Sequence, residues 1–434
     1  MSDMVQAPGS RVSSASGHQA RRAREIRFMS LRPLVSIIMA NRNGERFLED
    51  AIKSVLCQTT GRIELILSDD ASTDDSLAIA RRLRQGDDRV NIIAADARAG
   101  PGAARNLALD AARGDWVSII DSDDLVHPAR TERLIDRADR LGVDIIADDL
   151  VCFGANTGRT LLGPKKLTEP WRPTPADFLQ AEMASPPIPV GYLKPIIHRR
   201  ALNDIRYRTD MSVGEDFDFL FRLLLAGAKM AVLAEGYYLY RRHPGSISHR
   251  LGEEDAEGMV RSVDDLMATG PAALSDLLAA RRRMHLSALN FARLVRLLKS
   301  RRVGAAIQLM ARHPGLARPL LRSARESVRR RLPVSPQDTA KLDLLISAST
   351  AKADGYEPVA IPGGTDCWPL AEVSRLVEKA GRAPSILRAH GRAGLEALGY
   401  CPGWQQADLI APEDGWTTCE RQRIASLPWP VTMR

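Results

Sequence analysis

The stretch that most constrains the fold is the run W-V-S-I-I-D-S-D-D-L-V-H-P, which spans Trp116–Pro128. Its first five residues are mostly apolar or β-branched, and the carboxylates of Asp121, Asp123 and Asp124 follow almost at once. Such a run is typical of a buried strand in the middle of a parallel sheet. Because open α/β sheets bind their ligands outside the carboxyl ends of the strands, these acids are predicted to lie where a ligand binds.

Three carboxylates packed this closely predict a metal site. They repel one another unless a cation or a donor-rich ligand lies between them. Hard oxygen ligands suit Mg²⁺ or Mn²⁺, and these ions commonly bridge protein carboxylates to substrate phosphates. The alternative is a solvated acidic turn, because Asp is common in the loops that follow strands. This motif alone does not decide between the two.

The sequence on either side of this stretch alternates predicted strands with predicted helices. The strands are predicted at 34–40, 63–67 and 90–94, and the helices at 47–58, 76–84 and 103–113. Polar turns separate the elements. This alternation at these spacings predicts a parallel, doubly wound α/β sheet.

A second predicted strand also ends in acid. Asp69 and Asp70 follow the strand at 63–67. The carboxyl ends of this strand and of the strand before Asp121 should therefore place their acids at the same crevice. One carboxylate there can accept a hydrogen bond from a ribose hydroxyl or a base N–H, while the other acids hold a metal and its phosphates. The pattern therefore predicts a bound nucleoside diphosphate. Arg105, just inside the next helix, can add a positive charge for the diphosphate, or it can be an ordinary surface arginine.

A later acidic pair, Glu215 and Asp216, begins the predicted amphipathic helix F-D-F-L-F-R-L. A carboxylate there can take the proton from a hydroxyl that attacks a substrate carbon, which is general-base catalysis. The alternative is that one of these acids simply caps the helix, because acids stabilise helix N-termini. The pair by itself leaves both possibilities open.

Five motifs of the chain resemble those of the inverting family 2 glycosyltransferases and occur in the same order. They are P-L-V-S-I-I-M-A-N-R-N, S-D-D-A-S-T-D-D-S, G-P-G-A-A-R-N, D-S-D-D and G-E-D-F-D-F-L-F-R-L, within residues 33–249, about half of the chain. The resemblance implies an α/β fold of the GT-A type. This is a nucleotide-diphospho-sugar-binding domain with a doubly wound mixed sheet, followed here by a helical C-terminal region.

The resemblance also implies roles for individual residues. Asp70 would contact the base, usually uracil, Asp121 would contact the ribose, and Asp216 would be the general base. The implied donor-binding residues are Ala40, Asn41, Asp70, Arg105, Asp121 and Ser122, and the implied metal ligands are Asp123, Asp124 and His243. The implied cofactor is Mn²⁺ or Mg²⁺. One departure is the A-N-R-N run after the first strand, where the family usually has a Pro-Thr-Tyr-Asn type sequence.

With 434 residues the chain is longer than a usual single domain, and we divide it into four segments. These are a flexible basic tail at 1–32, the glycosyltransferase domain at 33–250, a basic helical region at 251–335 and a small C-terminal domain of unknown role at 336–434. We expect no transmembrane helix, because no run of residues has the apolar length that a bilayer crossing needs. Five widely spaced cysteines fit neither a disulfide framework nor a zinc site, so a reducing cytoplasm is the expected location.

The basic charge is concentrated in one segment. Between Arg281 and Arg331 there are fifteen Lys or Arg residues and one acid, Glu326, so this segment alone carries +14 while the whole chain carries +8. The helix predicted at 281–302 has an apolar and a cationic side, which favours peripheral contact with an anionic membrane surface. An ordinary solvated helix bundle is the alternative. Nucleic acid is not an expected partner, because no recognised binding motif accompanies the charge.

The sequence therefore predicts a metal-dependent enzyme that moves a sugar from a nucleotide-diphosphate donor, a UDP-sugar, to a hydroxyl of a glycan or lipid-linked acceptor. By family analogy the product is a bacterial surface polysaccharide or exopolysaccharide, made at the inner face of the cytoplasmic membrane. Two alternatives stay open. A catalytically inactive, membrane-associated scaffold would keep the fold. A nucleotidyltransferase would need a glycine-rich, lysine-bearing loop after the first strand, which N-R-N-G is not.

Overall fold

The computed structural model describes residues 34–151, 161–162, 169–185, 187–242 and 252–321, together with the backbone of 152–154 and of five strands between 343 and 433. Up to residue 242, the described strands form two sheets. These strands are β1 (Val35–Asn41), β2 (Ile63–Asp69), β3 (Val90–Ala94), β4 (Trp116–Ile119), β5 (Leu125–Val126), β6 (Ile145–Ala147), β7 (Leu150–Gly154), β8 (Ile196–His198), β9 (Met230–Val232) and β10 (Tyr238–Arg242).

The helices connect and cover these strands. They are α1 (Glu45–Leu56), α2 (Ser76–Gly86), α3 (Pro101–Ala111), α4 (Arg130–Leu141), α5 (Pro175–Met183), α6 (Arg199–Leu202), α7 (Glu215–Leu225), α8 (Glu253–Thr269), α9 (Ser275–Lys299) and α10 (Val303–Arg312). The predicted alternation from β1 through α3 to β4 is confirmed. The helix predicted at 103–113 begins earlier, at Pro101, because proline is well suited to the first turn of a helix.

The main sheet has seven strands in the order β3-β2-β1-β4-β8-β6-β9. Strands β1 to β4 pair in parallel, as predicted, and every residue of β2 and of β4 is buried. β8 runs antiparallel to both β4 and β6, so the sheet is mixed. Strand order reverses at β1, which pairs with β2 on one side and with β4 on the other. This reversal creates a crevice at the carboxyl ends of β1 and β4.

Helices pack on both faces of this sheet. In α1 the side chains of Leu48, Ala51, Ile52 and Val55 are fully buried, a spacing that places them on one side of the helix. They belong to a core cluster that also contains buried side chains from one face of β1 and β2. A second cluster on the other face contains α5 and the aromatic residues of α7, including Phe217. Burial of each such large side chain contributes about 2 kcal/mol to stability.

The smaller sheet has the order β5-β10-β7, with β10 antiparallel to β5 and parallel to β7. β5 follows the acidic stretch directly in the chain. Its pairing therefore brings Tyr238 and the rest of β10 beside the acidic turn after β4.

The helical region after residue 252 packs against α5 and α7. Arg281 in α9 pairs with Glu182 in α5 at 2.5 Å and lies 3.8 Å above the ring of Phe217. Ser262 in α8 donates a hydrogen bond to Asp218 in α7 at 2.7 Å. Among the helices described here, none combines the length and the apolar composition that crossing a bilayer needs.

Near the C-terminus, five described strands form a parallel sheet. They are β11 (Asp343–Ser347), β12 (Glu357–Ala360), β13 (Ile386–His390), β14 (Gln406–Ile410) and β15 (Val431–Met433), in the order β12-β11-β13-β14-β15. These strands lie within the segment 336–434, whose assignment as a separate small domain stays a prediction. The boundaries predicted near 33, 250 and 335 fall at or within stretches outside the described residues and stay predictions.

Candidate functional site

The acidic turn after β4 lies at the crevice where the strand order of the main sheet reverses. Carboxylate oxygens of Asp121, Asp123 and Asp124 lie within 4.8 Å of one another. The buried strand therefore delivers three acids to one place at the edge of the sheet.

A residue of the smaller sheet holds this turn in shape. The hydroxyl of Tyr238 donates to Asp124 Oδ2 at 2.8 Å and accepts the backbone N–H of Asp121 at 3.0 Å. The backbone N–H of Arg241 donates to Asp124 Oδ1 at 2.6 Å, and its side chain donates to the carbonyl oxygen of Asp123 at 2.7 Å. Burial, and then the charges of Asp123 and Asp121, raise the pKa of Asp124 well above its usual range. Asp124 thus shapes the turn as well as belonging to the acidic group.

Two buried cations hold Asp121. Arg105 in α3 donates from Nη2 to Oδ1 at 3.0 Å, and Lys194, just before β8, lies with its Nζ 2.8 Å from Oδ2. Burial alone would raise the pKa of Asp121, but the charges of Lys194 and Arg105 outweigh it and lower the pKa to about 2. Asp121 is therefore ionised at neutral pH and is oriented from both sides.

Asp216 shares the same two cations. It lies in the first turn of α7, where Lys194 Nζ donates to its Oδ2 at 2.8 Å and Arg105 Nη1 lies 3.3 Å from its Oδ1. The cap residue of α7 is Gly214, whose φ of +87° favours glycine and which has no side chain to cap with. The carboxylate of Asp216 is thus directed at side-chain cations, which argues against a role limited to capping the helix.

Glu215 completes a cluster of five charged groups. Its Oε1 accepts a hydrogen bond from Arg105 Nη1 at 2.7 Å, which favours ionisation. Burial and the charge of Asp216 nevertheless prevail and raise the pKa of Glu215 to about 7, because Arg105 is shared by three carboxylates. The two cations and three acids carry one surplus negative charge when Glu215 is ionised and none when it is protonated. The cluster is therefore close to electrical balance at neutral pH.

The sequence did not predict Lys194 as a site residue. In the structure it is 4% exposed, and its ammonium group bridges Asp121 and Asp216. Its carbonyl oxygen accepts a hydrogen bond from Arg130, which forms a buried ion pair with Asp148 at 2.8 Å. A lysine next to an apolar strand normally extends its ammonium to water. The local sequence therefore carries no signal for this residue, and only its distant partners reveal it.

The carboxyl ends of β1 and β2 form the other half of the site. Asp69 accepts a hydrogen bond from the side-chain amide of Asn41 at 2.8 Å, and Asp70 accepts the backbone N–H groups of Ala99 and Gly100 at 2.6 and 3.0 Å. Asp70 therefore holds the loop before α3. Asn41 is 3% exposed, and its Oδ1 receives no hydrogen bond from any described residue. A buried acceptor of this kind is suited to an N–H or O–H donor of a ligand.

For four of the predicted site residues, no contact among the described residues identifies a role in ligand binding. They are Ala40, Ser122, Arg105 and His243. Ala40 is the penultimate residue of β1, and Ser122 lies in the acidic turn. A Cβ added at Gly44 would lie 3.5 Å from Ser122 Oγ, so the loop after β1 approaches that turn. The guanidinium of Arg105 is directed at carboxylates, and its contact with a diphosphate stays a prediction. His243, predicted as a metal ligand, lies outside the described residues.

The acidic turn fits a hard divalent cation. Its candidate ligand atoms are all carboxylate oxygens, which Mg²⁺ and Mn²⁺ prefer, and they lie close enough together to share one ion. A structural zinc site would instead use sulfur and nitrogen ligands. The geometry therefore supports a divalent cation at this turn.

Comparison with known proteins points to one family. The family model described as glycosyl transferase family 2 matches residues 36–205. The chain is 34% identical to the succinoglycan biosynthesis protein ExoO of Rhizobium meliloti (strain 1021) over 232 residues, 52% of this chain and 66% of that protein. It is 29% identical to ExoU of the same organism over 228 residues, 50% of this chain and 65% of that protein. The chain thus spans slightly less than two thirds of the length of each relative.

Among solved structures, S. aureus TarS 1–349 in complex with UDP-GlcNAc is similar at a TM-score of 0.47 and 20% identity, covering 58% of this chain and 71% of that chain. The segment matched by the family model contains β2 to β8, nearly all of β1, and the acidic turn. The chain therefore contains a glycosyltransferase family 2 domain at residues 36–205.

Proposed function

We propose that this chain is an inverting glycosyltransferase that moves a sugar from a nucleotide-diphosphate donor, a UDP-sugar, to a hydroxyl of a glycan or lipid-linked acceptor. One observation carries the proposal. A single buried ammonium group, that of Lys194, lies 2.8 Å from both Asp121 and Asp216. The carboxylate expected to act on the acceptor and the carboxylate expected to bind the donor are thereby held at a fixed separation.

The proposed reaction is a single displacement at the anomeric carbon. The acceptor oxygen forms a bond to that carbon from the face opposite the diphosphate, and the bond to the diphosphate oxygen breaks with its electron pair. Asp216 takes the proton of the acceptor hydroxyl. Its Oδ1 receives no hydrogen bond from the described residues, although Arg105 lies 3.3 Å away, so it can accept one from the acceptor.

Residues at the strand ends would bind the donor and the cation. Asp123 and Asp124 would hold the metal, and His243 is proposed as a further ligand on the family resemblance alone. A bound divalent cation supplies positive charge against the charge that develops on the leaving diphosphate. Asp121, ionised and oriented by two cations, would accept a hydrogen bond from a ribose hydroxyl. Asp70 is proposed to contact the base on the family resemblance alone.

The biological setting is proposed from the relatives. ExoO and ExoU are named for succinoglycan biosynthesis, which supports a role for this chain in making a bacterial exopolysaccharide or surface polysaccharide. A cytoplasmic location at the inner face of the membrane belongs to the same proposal. The concentration of positive charge after residue 281 supports it, because that leaflet is anionic.

The test uses the full chain and a panel of nucleotide sugars with and without Mn²⁺. A bound donor raises the Tm by mass action, and release of nucleoside diphosphate reports turnover. Asp216→Asn should keep donor binding and lower kcat by about 100-fold or more. Asp123→Ala should abolish the Mn²⁺-dependent part of the Tm rise. As a control, Asp136→Asn alters an exposed pair with Arg140 in α4 and should leave both measurements unchanged.

The outcomes separate the candidate functions. Near-normal turnover by Asp216→Asn would return this residue to a structural role. A chain that binds no nucleotide sugar and releases no nucleoside diphosphate under any condition would favour the inactive scaffold. Incorporation of a nucleotide from a triphosphate would favour a nucleotidyltransferase.

A further inference from the structure

One helix of the C-terminal region has an apolar outer face. Val303 and Ile307 in α10 are 56% and 62% exposed, and their spacing of four residues places them on the same side of the helix. The other side of α10 is occupied, because Ala306 and Leu309 belong to a cluster with Leu294 of α9. We call Val303, Ile307 and the exposed Ala311 that follows them the outer face of α10.

Positive charge surrounds this outer face along the chain. The exposed cations just before and after it are Lys299, Arg301, Arg302, Arg312 and Arg318. Within the part of the chain that the structure describes, none of the five forms an ion pair. The sequence has no Asp or Glu between Asp276 and Glu326 that could neutralise them locally. The region therefore presents apolar side chains together with uncompensated positive charge.

The arginines of α9 behave differently. Four of them face acids of α5 and α8, so their charge is compensated inside the protein. The pairs are Arg281 with Glu182, Arg282 with Asp264, Arg293 with Glu253 and Glu257, and Arg296 with Glu253. Four of the eight cations in the helix predicted at 281–302 to contact a membrane are thus paired with acids inside the protein. Apart from Arg283, the cations of this region that have no ion pair among the described residues lie at the end of α9 and around α10.

We propose that α10 lies in the plane of an anionic phospholipid surface, with Val303 and Ile307 inserted among the lipids and the flanking cations against the phosphates. An amphipathic helix with this pairing of exposed apolar and basic residues binds such surfaces. α10 has ten residues and is about 15 Å long, which suits lying in the interface and not crossing it.

A lipid surface fits these residues better than a protein partner does. The apolar side chains stand on the outside of a helix, and the cations are spread over twenty residues with no acid among them. A planar array of phosphates can engage all of these charges at once. The inference extends the proposed membrane location to a defined surface, and its test needs no donor sugar, so failure of the proposed transfer would not affect it.

The experiment measures binding of the full chain to sucrose-loaded vesicles by sedimentation. One set of vesicles is phosphatidylcholine with phosphatidylglycerol at about 3:1, a composition in the anionic range that basic interfacial helices recognise, and the other is phosphatidylcholine alone. The variants are Ile307→Asp, the double variant Arg301→Gln/Arg302→Gln, and Arg282→Gln. The last removes the same type of charge from a cation that already pairs with Asp264, and is the matched control.

We expect binding to the anionic vesicles only, weakened by added salt. Ile307→Asp should lower the partition coefficient about tenfold, and the double arginine variant should do so at least as strongly. Arg282→Gln should stay within about twofold of wild type. Ile307 is exposed, so its variant should fold, and circular dichroism and the Tm are to be measured to check this.

Three results would overturn the proposal. The first is no difference between anionic and neutral vesicles. The second is unchanged binding by Ile307→Asp, which would mean attraction by charge alone, as to any polyanion. The third is self-association in sedimentation velocity that Ile307→Asp abolishes while vesicle binding is absent, which would show that a second copy of this chain covers the outer face of α10.

Discussion

Replacement of Lys194 by methionine tests the charged cluster most directly. Lys194 is 4% exposed, and its ammonium lies 2.8 Å from carboxylate oxygens of Asp121 and Asp216. Methionine has a similar length and no charge, so among the described cations only Arg105 would remain beside these acids and Glu215. Removing one partner of a buried ion pair leaves the other charge uncompensated. We expect Lys194→Met to lower the free energy of unfolding at pH 7 by about 3 to 5 kcal/mol.

The acid dependence of stability gives a second readout of the same change. Lys194 and Arg105 lower the pKa of Asp121 from 3.8 to about 2 in the folded protein. This shift contributes about 2 kcal/mol of stability above pH 4, and that contribution is lost as the pH falls from about 4 toward 2. In Lys194→Met one of the two cations is missing, so the folded pKa of Asp121 rises. The decrease in the free energy of unfolding that protonation of Asp121 causes at low pH should therefore be smaller in Lys194→Met than in the wild type.

Urea unfolding at several pH values measures both effects. The matched control is Lys53→Met, because Lys53 forms an exposed pair with Glu49 within α1. Its free energy of unfolding should change by roughly 0.5 kcal/mol or less. A Lys194→Met protein as stable as this control, with the acid dependence of the wild type, would refute the view that Lys194 balances the acids of the site.

Two other predictions concern the turn and the cluster. Tyr238→Phe removes the hydroxyl that donates to Asp124 and accepts from the backbone of Asp121, so the free energy of unfolding should fall by about 1 to 3 kcal/mol, and the Mn²⁺-dependent rise in Tm with a nucleotide sugar should shrink. Glu215 has a folded pKa raised to about 7, so its contribution to stability is greatest below pH 4.5 and is lost as the pH rises through 7. Glu215→Gln does not titrate, and its stability relative to wild type should therefore increase between pH 5 and 8, by up to about 3 kcal/mol.

These two predictions can fail clearly. Tyr192→Phe removes an exposed hydroxyl from a short 3₁₀ turn, and a Tyr238→Phe protein no less stable than this control would deny the hydroxyl a role in the turn. For Glu215→Gln, urea unfolding of both proteins across the pH range isolates the one group that differs. A stability difference that is flat or that decreases with pH would contradict the raised pKa.

The order of strands and helices through β4 could be predicted because burial leaves a local pattern. The apolar run before Asp121 and the spacing of Leu48, Ile52 and Val55 each specify an element without reference to distant residues. The direction of β8 could not be predicted. Ile196–His198 is a three-residue strand, and such a short apolar run contains no information on whether its neighbour is parallel or antiparallel.

The acids of the site could be named from the sequence, because their place at strand ends follows from the same pattern. The residues that contact these acids could not be named from the sequence. Arg105 contacts Glu215, which is 110 residues away, and Asp121 contacts Tyr238, which is 117 residues away. The sequence around Lys194 gives no indication that it contacts these acids. Neither the rise in the pKa of Glu215 nor the fall in that of Asp121 can be inferred without these long-range contacts.

The same division applies to the basic region. The sequence by itself determined that fifteen cations and one acid lie between residues 281 and 331. Only the tertiary structure decided that Arg281 and Arg293 face acids of other helices, while Arg301 and Arg312 do not within the described part of the chain. Hydrophobic periodicity is a property of neighbouring residues, and it can be read locally. Neutralisation of a charge depends on which distant side chain folding brings within about 4 Å.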